Sequence, residues 1–177
     1  GHPSTAGALA NLANLAVMRD APELAVPQYR EALAILAALP TPHPDEARIA
    51  YNFGACQIRQ KDPAGALRSF QRAAAVQRRS NRPDHPDLAA YLTGVGIAQV
   101  ERGDPDAGIA PLEEAVQILV AAPRDPLYLA QARFELARAL WNSRTDRPRS
   151  RALAQQARET YRANPHGERF LKEVEAW

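Results

Sequence analysis

The dipeptide His-Pro occurs at His2-Pro3, His43-Pro44 and His85-Pro86, 41 and then 42 residues apart. The segments that follow agree column by column. Ala6, Ala47 and Ala89 share one column; Leu12, Phe53 and Val95 another, with Ala13, Gly54 and Gly96 beside them. Pro22, Pro63 and Pro105 come next, then Ala25, Ala66 and Gly108, then Tyr29, Phe70 and Leu112, then Ala32, Ala73 and Ala115. A fourth copy begins near Pro126 with Leu136-Ala137 in the Leu-Ala column, and a one-residue slip in its turn aligns Leu153 and Ala157. A period of this length marks stacked supersecondary units, none of which can bury its apolar side alone. The copies predict repeats over 2–42, 43–84, 85–125 and 126–164 and a capping helix over 167–177, all in a single domain, 1–177.

Each copy reads as two helices. Wound at about 100° per residue, Leu9, Leu12, Ala13 and Ala16 share one arc, and Gly7, Ala10, Asn11, Asn14 and Val17 fall opposite. The first arc is expected to be buried. The proline of His-Pro suits the first helical position, where a missing N–H costs nothing. Lys61-Asp62-Pro63 and Gly103-Asp104-Pro105 each set an N-cap Asp before a proline, and Gly103 can supply the left-handed residue that closes the preceding helix. Small Ala13, Gly54, Gly96 and Ala137 let paired helices approach; bulky Tyr29, Phe70, Leu112 and Leu153 fill the space against the next hairpin. The helices are expected near 3–19, 22–38, 44–60, 63–79, 86–102, 105–121, 126–142 and 147–163. Pro27 and Pro111 fall inside two of them, where propensity alone would stop a helix, but the apolar periodicity continues past both. The closing segment Glu168–Trp177 spaces Phe170, Leu171, Val174 and Trp177 as one more apolar face. The class is therefore all-α, an α-solenoid of four helical hairpins plus a C-terminal capping helix.

Composition narrows the function. A net charge of +2 gives no bulk pull toward nucleic acid or anionic membrane. No apolar run approaches the roughly 20 residues of a membrane span. The single cysteine, Cys56, excludes an internal disulfide and suits a reducing cytoplasm. Lys61 and Lys172 are the only lysines, a bias expected of a G+C-rich genome. Met18 is the only methionine and none opens the chain, so a piece of a longer protein is expected.

With these columns in place, the sequence resembles the tetratricopeptide repeat in its longer, roughly 42-residue version, as in kinesin light chain. Segments such as Ala10-Asn11-Leu12-Ala13 and Ala25-Val26-Pro27-Gln28-Tyr29-Arg30-Glu31-Ala32-Leu33 are similar to that repeat. Leu129 to Trp141, Arg149 to Arg158 and Glu173-Val174-Glu175-Ala176-Trp177 resemble the last repeat of large bacterial serine/threonine kinases with a C-terminal array. No kinase motif is present: no Gly-rich phosphate loop, no His-Arg-Asp and no Asp-Phe-Gly. The resemblance implies a non-catalytic module that holds a protein or peptide in a groove lined by the first helices.

Other motifs yield to simpler readings. His2, His43 and His85 stand one per repeat, on the order of 10 Å apart, whereas zinc ligands lie about 2.0–2.3 Å from one ion. Gly94-Val95-Gly96 sits within a helix with no strand before it, and Gln99 replaces the third glycine of a dinucleotide loop. Cys56 has no His or Asp beside it in sequence and reads as a buried inert thiol. Glu113 and Glu114 point about 100° apart on a helix and form no carboxylate pair. Arg78, Arg79 and Arg82, and Arg144, Arg147, Arg149 and Arg151, lack interleaved aromatics and are diluted by Asp84, Asp87 and Asp146, so nucleic acid is a minor reading. No cofactor, no metal and no membrane partner is expected.

The outward arcs of the first helices give the candidate groove residues. They are Asn11 and Asn14 in copy one and Arg48, Tyr51, Asn52 and Arg59 in copy two. Copy three adds Thr93, Ile97 and Glu101; copy four adds Gln131, Phe134, Glu135, Arg138 and Trp141. The family resemblance implies that asparagine in the column of Asn11 and Asn52 clamps the backbone of an extended peptide, since an amide both donates and accepts. That column breaks at Gly94 and Glu135, which confines any clamp to the first two copies. A second use open to such a chain is self-association through its N-terminal end, giving a homo-oligomer.

Overall fold

The computed structural model describes residues 2–80, 85–123 and 125–177. Among them stand nine α-helices and no strand: α1 (Pro3–Met18), α2 (Pro22–Ala37), α3 (Asp45–Arg59), α4 (Pro63–Arg78), α5 (Asp87–Glu101), α6 (Pro105–Ala121), α7 (Pro126–Ser143), α8 (Arg147–Ala163) and α9 (Glu168–Ala176). Each repeat-helix boundary falls within one residue of that predicted from the repeat register. Helices α1–α4 form one compact unit and α5–α9 a second. Within each unit, successive helices pair as hairpins: α1 with α2, α3 with α4, α5 with α6, and α7 with α8. Helix α3 packs on α2, α7 on α6 and α5, and α9 on α8. Arg82 and Asp84, named above with the basic clusters, lie outside the described residues.

The turns inside the hairpins share one construction. Asp20, Lys61, Gly103 and Arg144 each adopt positive φ, at 57°, 59°, 82° and 60°, and so end the first helix in the left-handed conformation. In the first three hairpins the next residue is already the N-cap of the second helix; in the fourth, Thr145 intervenes, which is the slip visible in the sequence. The Asp caps then accept from backbone amides three residues on: Asp62 from Gly65 at 2.8 Å, Asp104 from Ala107 at 3.3 Å, Asp146 from Arg149 at 3.0 Å. Ala21 offers no side-chain cap.

The recurring histidines have a capping role that the sequence did not reveal. Nδ1 of His2, His43 and His85 each accepts a backbone N–H two residues on, from Ser4, Asp45 and Asp87, at 3.2 Å in every case. An orphan donor of the helix start is thereby satisfied. Helices α2 and α6 run through Pro27 and Pro111 without a break, so packing of the apolar face outweighs the lost hydrogen bond.

The small-residue column sets the depth of packing. A Cβ on Gly54 would come within 2.7 Å of the Phe70 ring, and one on Gly96 would overlap Leu112. Fully buried Leu112 also packs with Leu136, Ala139 and Leu140 of the following hairpin, so one residue serves both seams. Tyr29, 1% exposed, meets Phe53 with ring centroids 5.5 Å apart. In the last hairpin, Ala130, Phe134, Ala137, Ala157 and Tyr161 are closed over by Val174, Phe170 and Leu171 of α9, with Tyr161 and Phe170 stacked at 5.3 Å. That is the expected capping helix.

One inner arc is corrected. In α1, Ala6, Ala10 and Ala13 are buried while Leu12 is 53% exposed. A first helix has two apolar faces: one toward its own second helix, the other toward the second helix of the hairpin before. The column of Leu12 serves the latter, as Phe53 does against Tyr29 and Leu136 against Leu112. No helix among the described residues covers that side of α1.

Candidate functional site

The candidate residues fall into two groups, one in each unit. In the first unit, Asn14 of α1 is the centre. Its Oδ1 accepts from the Tyr29 hydroxyl at 2.5 Å and from Asn52 Nδ2 at 3.2 Å, joining α1, α2 and α3. Burial raises the Tyr29 phenol to about 12, further helped by the Cys56 thiol and opposed by Arg48. Tyr29 therefore stays a hydrogen-bond donor across the physiological range. Asn11 is exposed, one helical turn from Asn14. Arg48 is exposed and hydrogen-bonds Asp45 at 3.0 Å; the Tyr51 ring is tilted against Phe70 at 5.6 Å. Arg59 reaches Asp20, in the α1–α2 turn, at 2.6 Å. Both arginine pairs are open to solvent and hold their side chains by less than about 1 kcal/mol each, so a ligand carboxylate can compete for either guanidinium.

In the second unit the face of α7 is largely occupied by the chain's own groups. Arg138 Nη1 donates to Glu135 and Nη2 to Glu101, both at 2.9 Å. Burial alone would lower the Arg138 pKa, but the two carboxylates outweigh it and the net shift is upward. Glu135, expected on the outward arc, is 5% exposed. Burial pushes its carboxyl up to about 7 against the pull of Arg138, with Glu173 and Glu101 adding to the rise. The Trp177 ring meets Phe134 and Trp141 edge-on at 5.8 and 5.6 Å, and Arg147 lies 4.6 Å over Trp141. Phe134 is buried; so is Thr93, whose Oγ1 donates to the Ala89 carbonyl at 2.8 Å. Gln131, Ile97 and Trp141 are half-buried and Glu101 is exposed.

Two features were missed from sequence. The Tyr29 hydroxyl anchors Asn14, and its signal was a tyrosine in a column otherwise filled by Phe70, Leu112 and Leu153, since a buried phenol requires a partner. Arg72 of α4 ties α3 and α2 together, pairing with Glu46 at 2.8 Å and donating to the Leu33 carbonyl at 3.3 Å; no repeat column pointed to it.

Two models of the tetratricopeptide repeat match the chain, one over residues 5–45 and the other over 45–121. The chain belongs to the tetratricopeptide-repeat family. The matched residues hold α1 through α6, and the α7–α8 hairpin carries the same packing columns. Among curated proteins none matches the chain. Solved structures share the fold over most of the tetratricopeptide chain. A Podosopora anserina protein assigned as a kinesin light chain, with nearly identical TPR-like repeats, aligns with TM-score 0.70 and 20% identity over 99% of this chain and 95% of its own. BtubC (BKLC) of P. vanneervenii aligns with TM-score 0.74 and 16% identity over 94% and 67%, and MamA with 0.66 and 16% over 90% and 75%. At these identities the likeness is one of fold: an all-α helical repeat of the solenoid kind. Within the tetratricopeptide chain no group of three His, Cys, Asp or Glu that could hold a metal forms among the described residues. None of its described helices is long and apolar enough to cross a membrane.

Proposed function

We propose that this tetratricopeptide chain is a non-catalytic protein-interaction module that holds an extended peptide or protein segment on the first-helix face of its N-terminal unit. One observation carries the reading: the Asn14–Asn52 hydrogen bond aligns side-chain amides from successive first helices, with Asn11, Arg48 and Tyr51 on the same helices. Asn11 and Asn52 supply amide donors and acceptors for a peptide backbone, and Arg48 and Arg59 supply exchangeable guanidinium groups for acidic side chains. On the second unit's own first-helix face, Gln131 and Arg138 offer polar groups, but Arg138 is already matched by two carboxylates, so the acidic preference is concentrated in the N-terminal unit. The resemblance of Leu129–Trp141 and Arg149–Arg158 to kinase-linked arrays supports reading the module as part of a larger bacterial signalling protein such as a serine/threonine kinase.

A displayed library of random peptides tests the reading. Selection on the intact chain is expected to enrich extended peptides with acidic residues. Their affinity should fall about tenfold or more, or about 1.4 kcal/mol, in the combined Arg48→Ala, Asn52→Ala variant. Enriched peptides that bind this folded variant at full strength contradict the assignment.

A further inference from the structure

Helix α8 carries five arginines against a single glutamate, Glu159. Its first turns are pinned to α7 by Ser150, which is fully buried and donates from Oγ to the Ala137 carbonyl at 2.7 Å. Arg147 and Arg151 flank Ser150, one helical turn apart, and both come over Trp141, one turn along α7 from Ala137. Their guanidinium carbons lie 4.6 and 5.6 Å from the centre of its ring. One indole thus carries two cations. The Trp177 ring meets Trp141 edge-on at 5.6 Å and is itself 44% exposed. In the sequence, the arginines of this stretch stand without an aromatic among them; the folded hairpin and the residue after α9 supply two. Two acids along the stretch are engaged. Glu113 pairs with Arg149 at 2.6 Å, and Asp146 accepts the Arg149 backbone amide at 3.0 Å as the N-cap of α8. Arg144, Arg147 and Arg151 are exposed and form no ion pair among the described residues.

We propose that the patch formed by Trp141, Arg147, Arg151 and Trp177 binds single-stranded nucleic acid, through its backbone and the faces of its bases. This goes beyond the peptide-binding reading, which concerns the N-terminal unit. A guanidinium seated over an indole keeps N–H groups free at its edge, and that edge can grip two phosphate oxygens. The ring holds the guanidinium in place beforehand, so little freedom is lost on binding. The outer guanidinium planes and the open part of the Trp177 ring are surfaces on which unpaired bases stack. An acidic peptide uses the N–H edges alone and leaves the indoles idle. A duplex keeps its bases within its own stack and leaves them idle too. With three unpaired arginines and little bulk charge behind them, affinity falls in the range of non-specific binding, about 10⁻⁴–10⁻⁶ M.

Fluorescence anisotropy of a labelled oligothymidylate, titrated with the 177-residue chain, tests the assignment. Saturable binding is expected, accompanied by quenching of tryptophan fluorescence. The logarithm of the affinity should fall against the logarithm of salt concentration with a slope of about −1.4 to −2.1, the value for two or three phosphate contacts on a single strand. The combined Arg147→Gln, Arg151→Gln variant, altered only at exposed positions, should keep its helical circular dichroism and bind about tenfold or more weakly. Arg162→Gln, on the same helix but at an arginine paired with Glu175, should bind as the unaltered chain does. An abasic strand of the same length should bind about tenfold or more weakly, for want of stacking. A strand that fails to bind at millimolar chain concentration overturns the proposal, and so does binding that survives the double glutamine change. Equal affinity for the abasic strand, or for a poly-glutamate of the same charge, overturns it as well and assigns the patch to acidic ligands at large.

Discussion

The Phe70 ring lies over Gly54 so closely that a Cβ there would come within 2.7 Å of it. Helix α3 thus owes its distance from α4 to a missing methyl group.

Two glycines in first helices therefore respond oppositely to alanine. Gly7, in α1, has nothing within 4 Å of where its Cβ would sit, so Gly7→Ala should stabilise by up to about 1 kcal/mol through helix propensity. Gly54→Ala gains the same propensity but must displace a buried ring, which costs about 1–3 kcal/mol. Its net effect should be destabilising. Urea melts of the two variants check the sign of each.

Asn11 and Asn14 separate ligand contact from stability. Exposed Asn11→Ala should change stability by no more than about 0.5 kcal/mol. Asn14→Ala strands the Tyr29 hydroxyl in the interior and should cost about 1–3 kcal/mol. Tyr29→Phe removes only the hydroxyl and should cost about 1 kcal/mol, against about 3–5 kcal/mol for Tyr29→Ala. A double-mutant cycle of Asn14→Ala with Tyr29→Phe should show coupling of the size of one hydrogen bond.

The helices were legible because the repeat supplies each one several times over. Pro27 and Pro111 mislead propensity in single helices, but the register carried by the other copies overrides them. The faces were less legible. Periodicity along α1 alone cannot distinguish a residue packed on its own second helix, such as Ala10, from one that needs a neighbouring hairpin, such as Leu12. The outward arc of α7 misplaced Glu135 and Phe134, both of which are buried; Phe134 is met by Trp177, which follows α9, a helix outside the repeat. The histidine caps repeat faithfully, yet a His-Pro pair carries no sequence mark of which ring nitrogen accepts.

Glu135 gives the C-terminal unit a pH dependence of definite sign. Its folded pKa of about 7 lies above the ordinary 4.5, so the folded chain holds a proton that the unfolded chain has released. Its contribution is most favourable below about pH 4.5 and is lost as pH rises through about 7. The difference amounts to at most about 3 kcal/mol. Glu135→Gln keeps an oxygen for Arg138 and cannot ionise. Relative to the unaltered chain, this variant should gain stability between about pH 5 and pH 8, as chemical denaturation at both values will show.

Lys61 holds a left-handed conformation, at φ 59°, that Gly103 fills with glycine in the next hairpin. A non-glycine residue there costs about 1–2 kcal/mol, part of which the added freedom of an unfolded glycine offsets. Lys61→Gly should therefore raise stability by about 0.5–1 kcal/mol. Gly103→Ala should lower it, although no atom lies within 4 Å of the added Cβ. Thermal melts of the pair isolate backbone conformation from packing.

The central claim is that asparagine amides on α1 and α3 grip a peptide backbone, and the side-chain NH2 resonances of Asn11, Asn14 and Asn52 report it most directly. In a nitrogen-edited NMR titration with an acidic peptide selected on the chain, the Asn11 and Asn52 amide pairs should shift progressively and saturate together with the Arg48 Nε–H signal. Asn14, held by Tyr29, should move less. Saturable binding that leaves all three asparagine pairs in place while shifting resonances of α7 or α9 would contradict the claim.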